Sequence, residues 1–256
     1  MFDRQNNKLK PGILFLVLTF TLGLAAQEEK RLPPKLDPAA AQLVFDSGRF
    51  QSRISGPKGL GVLANELSLY GMGGQAMGFA AKSEEAKTFL IGSFYSECIA
   101  YVRGGKSELA LDRLKAIEKE FITMGVPNSV YGFVSKIENA ITTKKYEPAV
   151  LLDFFALFQP VYEEFLKAKG QDRLTLFQAG SWLMDMGLAA AAQDKTLLKQ
   201  PQVLNYFIAE MKRMDAPKGV QDSLAEISAI SAKKEIADRD ADQVLRLIKK
   251  IQTVLG

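Results

Sequence analysis

The sequence predicts an all-α protein: an antiparallel helical bundle or short α-solenoid, assembled from two diverged copies of a helical unit. Three observations predict it. Apolar residues recur at helical spacing along most of the chain, period-two runs of β-branched residues are missing, and one stretch returns 90 positions later.

The amino-terminal segment reads MFDRQNNKLKPGILFLVLTFTLGLAA. Arg4, Lys8 and Lys10 make a basic start, Ile13 to Leu22 is apolar apart from threonines, and Gly23-Leu24-Ala25 supplies small residues. That order is the order of a secretory signal peptide. Residues 1–25 are therefore expected to be removed, leaving a periplasmic or secreted protein. The apolar run is short of the roughly 20 residues that span a bilayer. The alternative expectation is an uncleaved inner-membrane anchor over residues 11–26. No cysteine follows the run to carry a lipid, and no Asn-x-Ser/Thr sequon is present. Export without glycosylation sites or disulfides points to a bacterial periplasm.

Residues 26–60 read as a linker stiffened by Pro33-Pro34, with a possible short helix from Pro38 to Phe45 and a loop over Ser52 to Gly61. A single helical domain is expected over 61–256, with unit one at about 61–168 and unit two at about 171–256. Within it, four sets of apolar residues each fall on one helix face. They are Leu114/Ile117/Phe121/Met124, Val130/Phe133/Val134/Ile137/Ile141, Leu204/Phe207/Met211/Met214 and Val244/Ile248/Ile251/Leu255. Pro127, Pro148 and Pro217 suit first helical turns, where a missing N–H costs nothing. Gly104-Gly105 and Gly170 read as stops. Glu84-Glu85 and Asp238/Asp240/Asp242 suit amino-terminal turns, where carboxylates are favoured.

The repeat sets Met124, Pro127, Val130 and Ile137 against Met214, Pro217, Val220 and Ile227, 90 positions on. Ile141, Lys144 and Lys145 match Ile230, Lys233 and Lys234 after a one-residue slip. Met77-Gly78-Phe79-Ala80-Ala81 parallels Met186-Gly187-Leu188-Ala189-Ala190, 109 positions on. The excess predicts an additional helix in unit one, around 84–103. Gly71, Gly74 and Gly78 in one copy, and Gly180 and Gly187 in the other, would let two helix backbones approach closely.

The chemistry is bounded by what is missing. The chain has no histidine and one cysteine, Cys98. Ser-His-Asp and Cys-His catalysis, histidine-ligated metals, CxxC pairs and thiolate zinc sites are excluded. Net charge is +4, and +2 without residues 1–25 (30 Lys and Arg against 28 Asp and Glu), with no basic stripe for nucleic acid. Ala100 to Ser107 approximates a phosphate loop, with Lys106 and Ser107 in the reactive positions and Asp153 as a magnesium-binding acid. Its Gly-Gly reads better as a helix stop followed by a Ser107 cap, because a helical pattern precedes it where the chemistry needs a strand. Asp238-Arg-Asp240-Ala-Asp242 starts like a calcium loop but continues with Gln243 and Lys249 where glycine and glutamate are required. Glu84-Glu85 and Glu163-Glu164 are sequence neighbours, which on a helix point apart. Cys98 reads as a buried structural thiol. Phe154, Phe155, Phe158, Tyr162 and Phe165 read as a core helix that Pro160 should kink or break. The same stretch, with Trp182 beside it, is the candidate wall of a lipid groove.

No motif identifies a family, and no catalytic, cofactor-binding or metal-ligating residue is assigned. The expected function is that of an exported, non-enzymatic interaction or accessory module whose partner is another protein. The alternative is a carrier holding a lipid or other apolar small molecule between helices. An enzyme using only Asp, Glu, Lys, Ser or Tyr is the third reading. Membrane contact is expected only if the amino-terminal segment stays uncleaved.

Overall fold

The computed structural model describes residues 36, 37, 41, 45–56, 58–67 and 83–255. Among them are ten helices and no strand. They are α1 (Ser47–Gln51), α2 (Leu60–Leu67), α3 (Glu84–Arg103), α4 (Ser107–Thr123), α5 (Asn128–Thr143), α6 (Pro148–Lys169), α7 (Gln171–Ala191), α8 (Pro201–Arg213), α9 (Lys218–Ser231) and α10 (Asp238–Leu255). The export segment, most of the helix expected over 38–45, Gly71, Gly74 and Met77 to Ala81 lie outside the described residues.

The four predicted apolar faces become the inner faces of α4, α5, α8 and α10. Leu114, Ile117 and Phe121, for example, are almost fully buried. The stops close by the same hydrogen bonds in both halves. After α3, Lys106 N–H donates to the Tyr101 carbonyl at 2.8 Å with Gly105 at φ +71. After α7, Asp194 N–H donates to the Ala189 carbonyl at 2.9 Å with Gln193 at φ 58. Both are Schellman closures, which need a residue in the left-handed region. Lys106 is the residue that flanks α4 and Ser107 is already helical, so no side-chain cap forms there, contrary to expectation.

Pro160 does not break α6, which runs unbroken from Pro148 to Lys169. Phe155, Phe158, Tyr162 and Leu166 bury its inner face on both sides of the proline. Pro160 itself is exposed. On the outer, convex side a helix tolerates a missing hydrogen bond best.

α3 and α4 run antiparallel, and so do α4 and α5, where Ser135 meets Glu118 and Lys144 meets Glu108. Glu97–Arg113 and Lys87–Glu120 tie α3 to α4 with one running up and the other down. The central pair, α3 and α7, is a correction to the antiparallel reading. Arg173 meets Glu84 and Glu85 at one end, Gly92 and Gly180 meet in the middle, and Ser96 meets Asp185 further on, so these two helices run parallel. The reason is topological: with each helix reversing the last, α7 points the same way as α3, four helices earlier.

The parallel crossing is closed by reciprocal glycines. A Cβ at Gly92 would strike the Phe177 carbonyl oxygen, and one at Gly180 would strike that of Phe89. Both sit in Phe-x-x-Gly-Ser, 88 positions apart (180 − 92, 177 − 89). Gly180 thus meets the helix at 84–103, which had been read as an addition to unit one. Gly187 makes no backbone approach, since its Cβ would meet only the tips of Leu67 and Ile248 at 3.7 Å. α3 and α7 are buried all round, so they lack the one-sided pattern by which the other helices announce themselves.

Two apolar clusters flank the central pair. One lies under α3–α6 and holds the interlocked rings of Tyr95, Phe121, Phe155, Phe158, Tyr162 and Phe177. The other lies under α7–α10, where Trp182 packs 5.0 Å from Phe207. The expected linker over 26–60 also needs correction. α1 falls inside it, yet Ser47, Phe50 and Gln51 are buried against α3 and α7. Five residues are too few to display a helical period.

Candidate functional site

α7 carries one acid within an apolar run, Asp185, and it is completely buried. Its Oδ1 accepts from Ser96 Oγ of α3 at 2.6 Å and from Gln51 Nε2 of α1 at 2.9 Å. Gln51 Nε2 also donates to the Ser96 carbonyl at 2.9 Å, and the hydroxyls of Ser47 and Ser181 share a 2.6 Å hydrogen bond alongside. Asp185 Oδ2 and Gln51 Oε1 are buried without a hydrogen-bond partner. Burial pushes the Asp185 carboxyl up to about 7, against the opposing donors Ser96, Gln51 and Ser47, with the charge of Asp46 adding to the rise. Asp46 caps α1 by accepting from Arg49 N–H at 2.8 Å. Three further ties hold this segment. Arg103 donates to the Gly48 carbonyl at 2.8 Å, Gln159 donates to the Phe45 carbonyl, and Ser55 donates through N–H and hydroxyl to Asp194 Oδ2 at 2.9 and 3.0 Å.

The outer side of α1 forms a polar cleft of about 460 Å³ with α3 and α6. Asp46, Arg49, Arg103, Asp153, Gln159 and Glu163 line it. Burial raises the Glu163 carboxyl, partly offset by hydrogen bonds from Gln159 and Gln178. The Tyr95 hydroxyl donates to Gln159 Oε1 at 3.0 Å and lies 3.2 Å from the Phe155 carbonyl. Two cations and three carboxylates line this cleft, a mixture suited to holding a small polar or zwitterionic group.

A larger cleft of about 660 Å³ lies at the amino-terminal ends of α3 and α7. Phe89, Leu176, Met211, Met214 and Val220 give it an apolar floor. Arg173 closes one side through Glu84 at 2.7 Å and Glu85 at 3.0 Å. Arg213 binds Asp172 and, at 2.8 Å, Glu210 nearby.

The candidate groups from the sequence do not gather. Lys106 and Ser107 border a groove with Lys144 and Tyr146, whereas Asp153 lines the cleft beside α1. A helix, α3, leads into Gly104-Gly105. Asp238 pairs with Lys195 and Asp242 with Gln193, both toward the turn after α7, while Asp240 pairs with Lys233, so the three do not converge on one point. Among the described residues no group of three His, Cys, Asp or Glu side chains is placed to hold a metal ion. Glu84 and Glu85 share Arg173 instead of diverging. Glu163 turns inward while Glu164 pairs with exposed Lys167. Cys98 is buried, its thiol raised by burial first and by the charge of Glu97 second. The aromatic stretch of α6 fills a core instead of walling a groove, and Phe177, not Trp182, packs on Tyr162 at 5.1 Å.

Sequence reasoning missed Asp185. The signal was there: a lone acid within Leu176 to Ala192, where nothing else carries charge. Among the described residues no helix is long and apolar enough to cross a membrane. Set against known protein families, characterised proteins and solved structures, the chain matches none.

Proposed function

We propose that the protein is an exported, non-enzymatic helical module that acts by binding another protein. One observation carries this reading. Of the seven large apolar side chains exposed among the described residues, Leu109, Tyr146, Val150 and Leu157 lie together on α4, the α5–α6 connection and α6. Leu157 is 59% exposed, and Tyr146 stacks edge-on with Phe154 at 5.5 Å, joining the turn to the helix. Scattered exposed leucines are ordinary, but a contiguous apolar face marks an interaction surface. A photo-crosslinker placed at Leu157 in the source cell should capture one defined protein. That protein, purified, should bind the wild type and bind Leu157→Asp at least about tenfold more weakly, a loss of about 1.4 kcal/mol, with the melting temperature unchanged. Equal binding to both would refute this face as the docking site. Export is tested by amino-terminal sequencing, with a mature chain beginning near Ala26 expected.

In this reading α3–α6 and α7–α10 are diverged copies of one unit. The shared Phe-x-x-Gly-Ser, the matched Schellman closures and the Pro127 and Pro217 turns support that. Co-expressed fragments 33–169 and 171–256 should associate into a native-like helical complex, and failure to associate would count against it.

The second reading, a carrier of an apolar small molecule, is favoured by the 660 Å³ cleft, which falls within the volumes typical of ligand sites. Native mass spectrometry should then find a bound lipid that Met214→Trp displaces.

A further inference from the structure

We propose that α1 is a proton-operated strap: Asp185 holds it down as a neutral carboxylic acid, and loss of that proton lets Ser47–Gln51 lift from the seam between α3 and α7. The inference is independent of what the protein binds.

The hydrogen-bond inventory leads to it. Asp185 Oδ1 is already satisfied by Ser96 and Gln51, while Asp185 Oδ2 and Gln51 Oε1 are buried acceptors that lack a donor. A proton on Asp185 Oδ2 removes the buried charge and turns an acceptor that has no donor into a neutral hydroxyl. Without it, a full charge sits in the interior with no cation on it, which is strongly unfavourable. The charged groups on the packed elements do not relieve it. On α1, Asp46 adds negative charge and Arg49 is exposed. On α3, Glu97 is joined to Arg113, and Arg103 to the Gly48 carbonyl. On α2, Glu66 is held by Lys58, and on α6 Glu163 by Gln159. On α10, Asp240 and Asp242 carry their own partners.

α1 is the element able to yield. It is five residues long, and its one hydrogen bond to the acid is that of Gln51, with Ser47 bonded to Ser181 alongside. α3 and α7 are locked by their glycine crossing. Lifting α1 exposes Asp185 to water and joins its seam to the 460 Å³ cleft on the outer side.

The sign follows from linkage. The closed form holds its proton up to about pH 7, and the open form loses it near the ordinary carboxylate value. Below about pH 4 both forms are protonated and the strap is tightest. Between about pH 4 and 7 the open fraction rises by up to about tenfold per pH unit, and it levels off above.

The test is peptide-resolved hydrogen exchange on the full chain from pH 4.5 to 8, each value divided by that of Asp185→Asn to remove the intrinsic pH dependence. The peptide covering 45–51 should lose protection steeply up to about pH 7 and then plateau, while peptides from α3 and α7 stay flat. Ser96→Ala, which removes a donor from the carboxylate, should move the plateau to higher pH. It serves equally if Asp185→Asn does not fold. A flat ratio at 45–51, an unmoved plateau, or equal loss across α3 and α7 would each overturn the strap.

Discussion

Glu97 on α3 and Asp185 on α7 stand 88 positions apart in matching places on the two central helices, and both are buried. Glu97 meets the Arg113 guanidinium of α4 at 2.9 Å and accepts from the Tyr101 hydroxyl at 3.0 Å. Arg113 in turn lies over the Phe94 ring. Asp185 meets an amide and hydroxyls instead. The contrast shows that depth alone does not decide what a buried acid does. The neighbouring helix decides: α4 brings a cation, so Glu97 is one half of an ion pair, while α1 brings only neutral donors, so Asp185 is left to hold its own proton.

The largest effect should come from unpairing the first acid. Arg113→Ala leaves Glu97 buried without its cation, and denaturant unfolding should show a loss of about 3–5 kcal/mol. Asp185→Asn below about pH 4, where the carboxyl is protonated in folded and unfolded chains alike, should stay within about 1 kcal/mol of the wild type. Equal losses would erase the distinction between the two sites.

The glycines on the same helices come next. Gly180→Ala drives a methyl into the Phe89 carbonyl, and backbone on both sides prevents relaxation, so a loss of about 3 kcal/mol is expected. Gly187→Ala, two turns on, meets only side-chain tips and should be neutral or stabilising by up to about 1 kcal/mol.

pH sharpens the comparison further. The Asp185 carboxyl is raised in the fold, so its contribution to stability is fully present below about pH 4 and is lost as the pH rises to about 7. The wild type should therefore weaken across that window, by at most about 1.4 kcal/mol per unit. Asp185→Asn should flatten this slope.

The smallest effect lies at the helix ends. Gly105 and Gln193 occupy the same left-handed position in matching closures. Gln193→Gly should gain about 0.5–1 kcal/mol in thermal or denaturant unfolding, whereas Gly105→Gln should lose a similar amount.

What was legible in the sequence follows the same division. α4, α5, α8 and α10 each bury one stripe, so Leu114/Ile117/Phe121 and Val244/Ile248/Ile251 could be read off by spacing. The stops at Gly104-Gly105 and Gly170 were legible because glycine is chemically suited to them. α3 and α7 were harder, because a helix covered on all sides has no stripe. What joins them is Phe-x-x-Gly-Ser, a short motif with no apolar stripe to announce it. α1 could not be seen at all: its role rests on Ser47 and Gln51 meeting residues up to 134 positions away. Polar partners chosen across that distance leave no local pattern.

The 88-residue separation of the two glycine faces also sets an order of assembly. Hairpins such as α3–α4 and α5–α6 join close neighbours and close quickly, but the central seam waits for a long loop. Trp182, the single tryptophan, sits on the late-arriving helix in a fully buried position. Stopped-flow refolding should thus show far-ultraviolet ellipticity recovering ahead of indole fluorescence. Coincident traces would mean that the seam forms first and the hairpins gather around it.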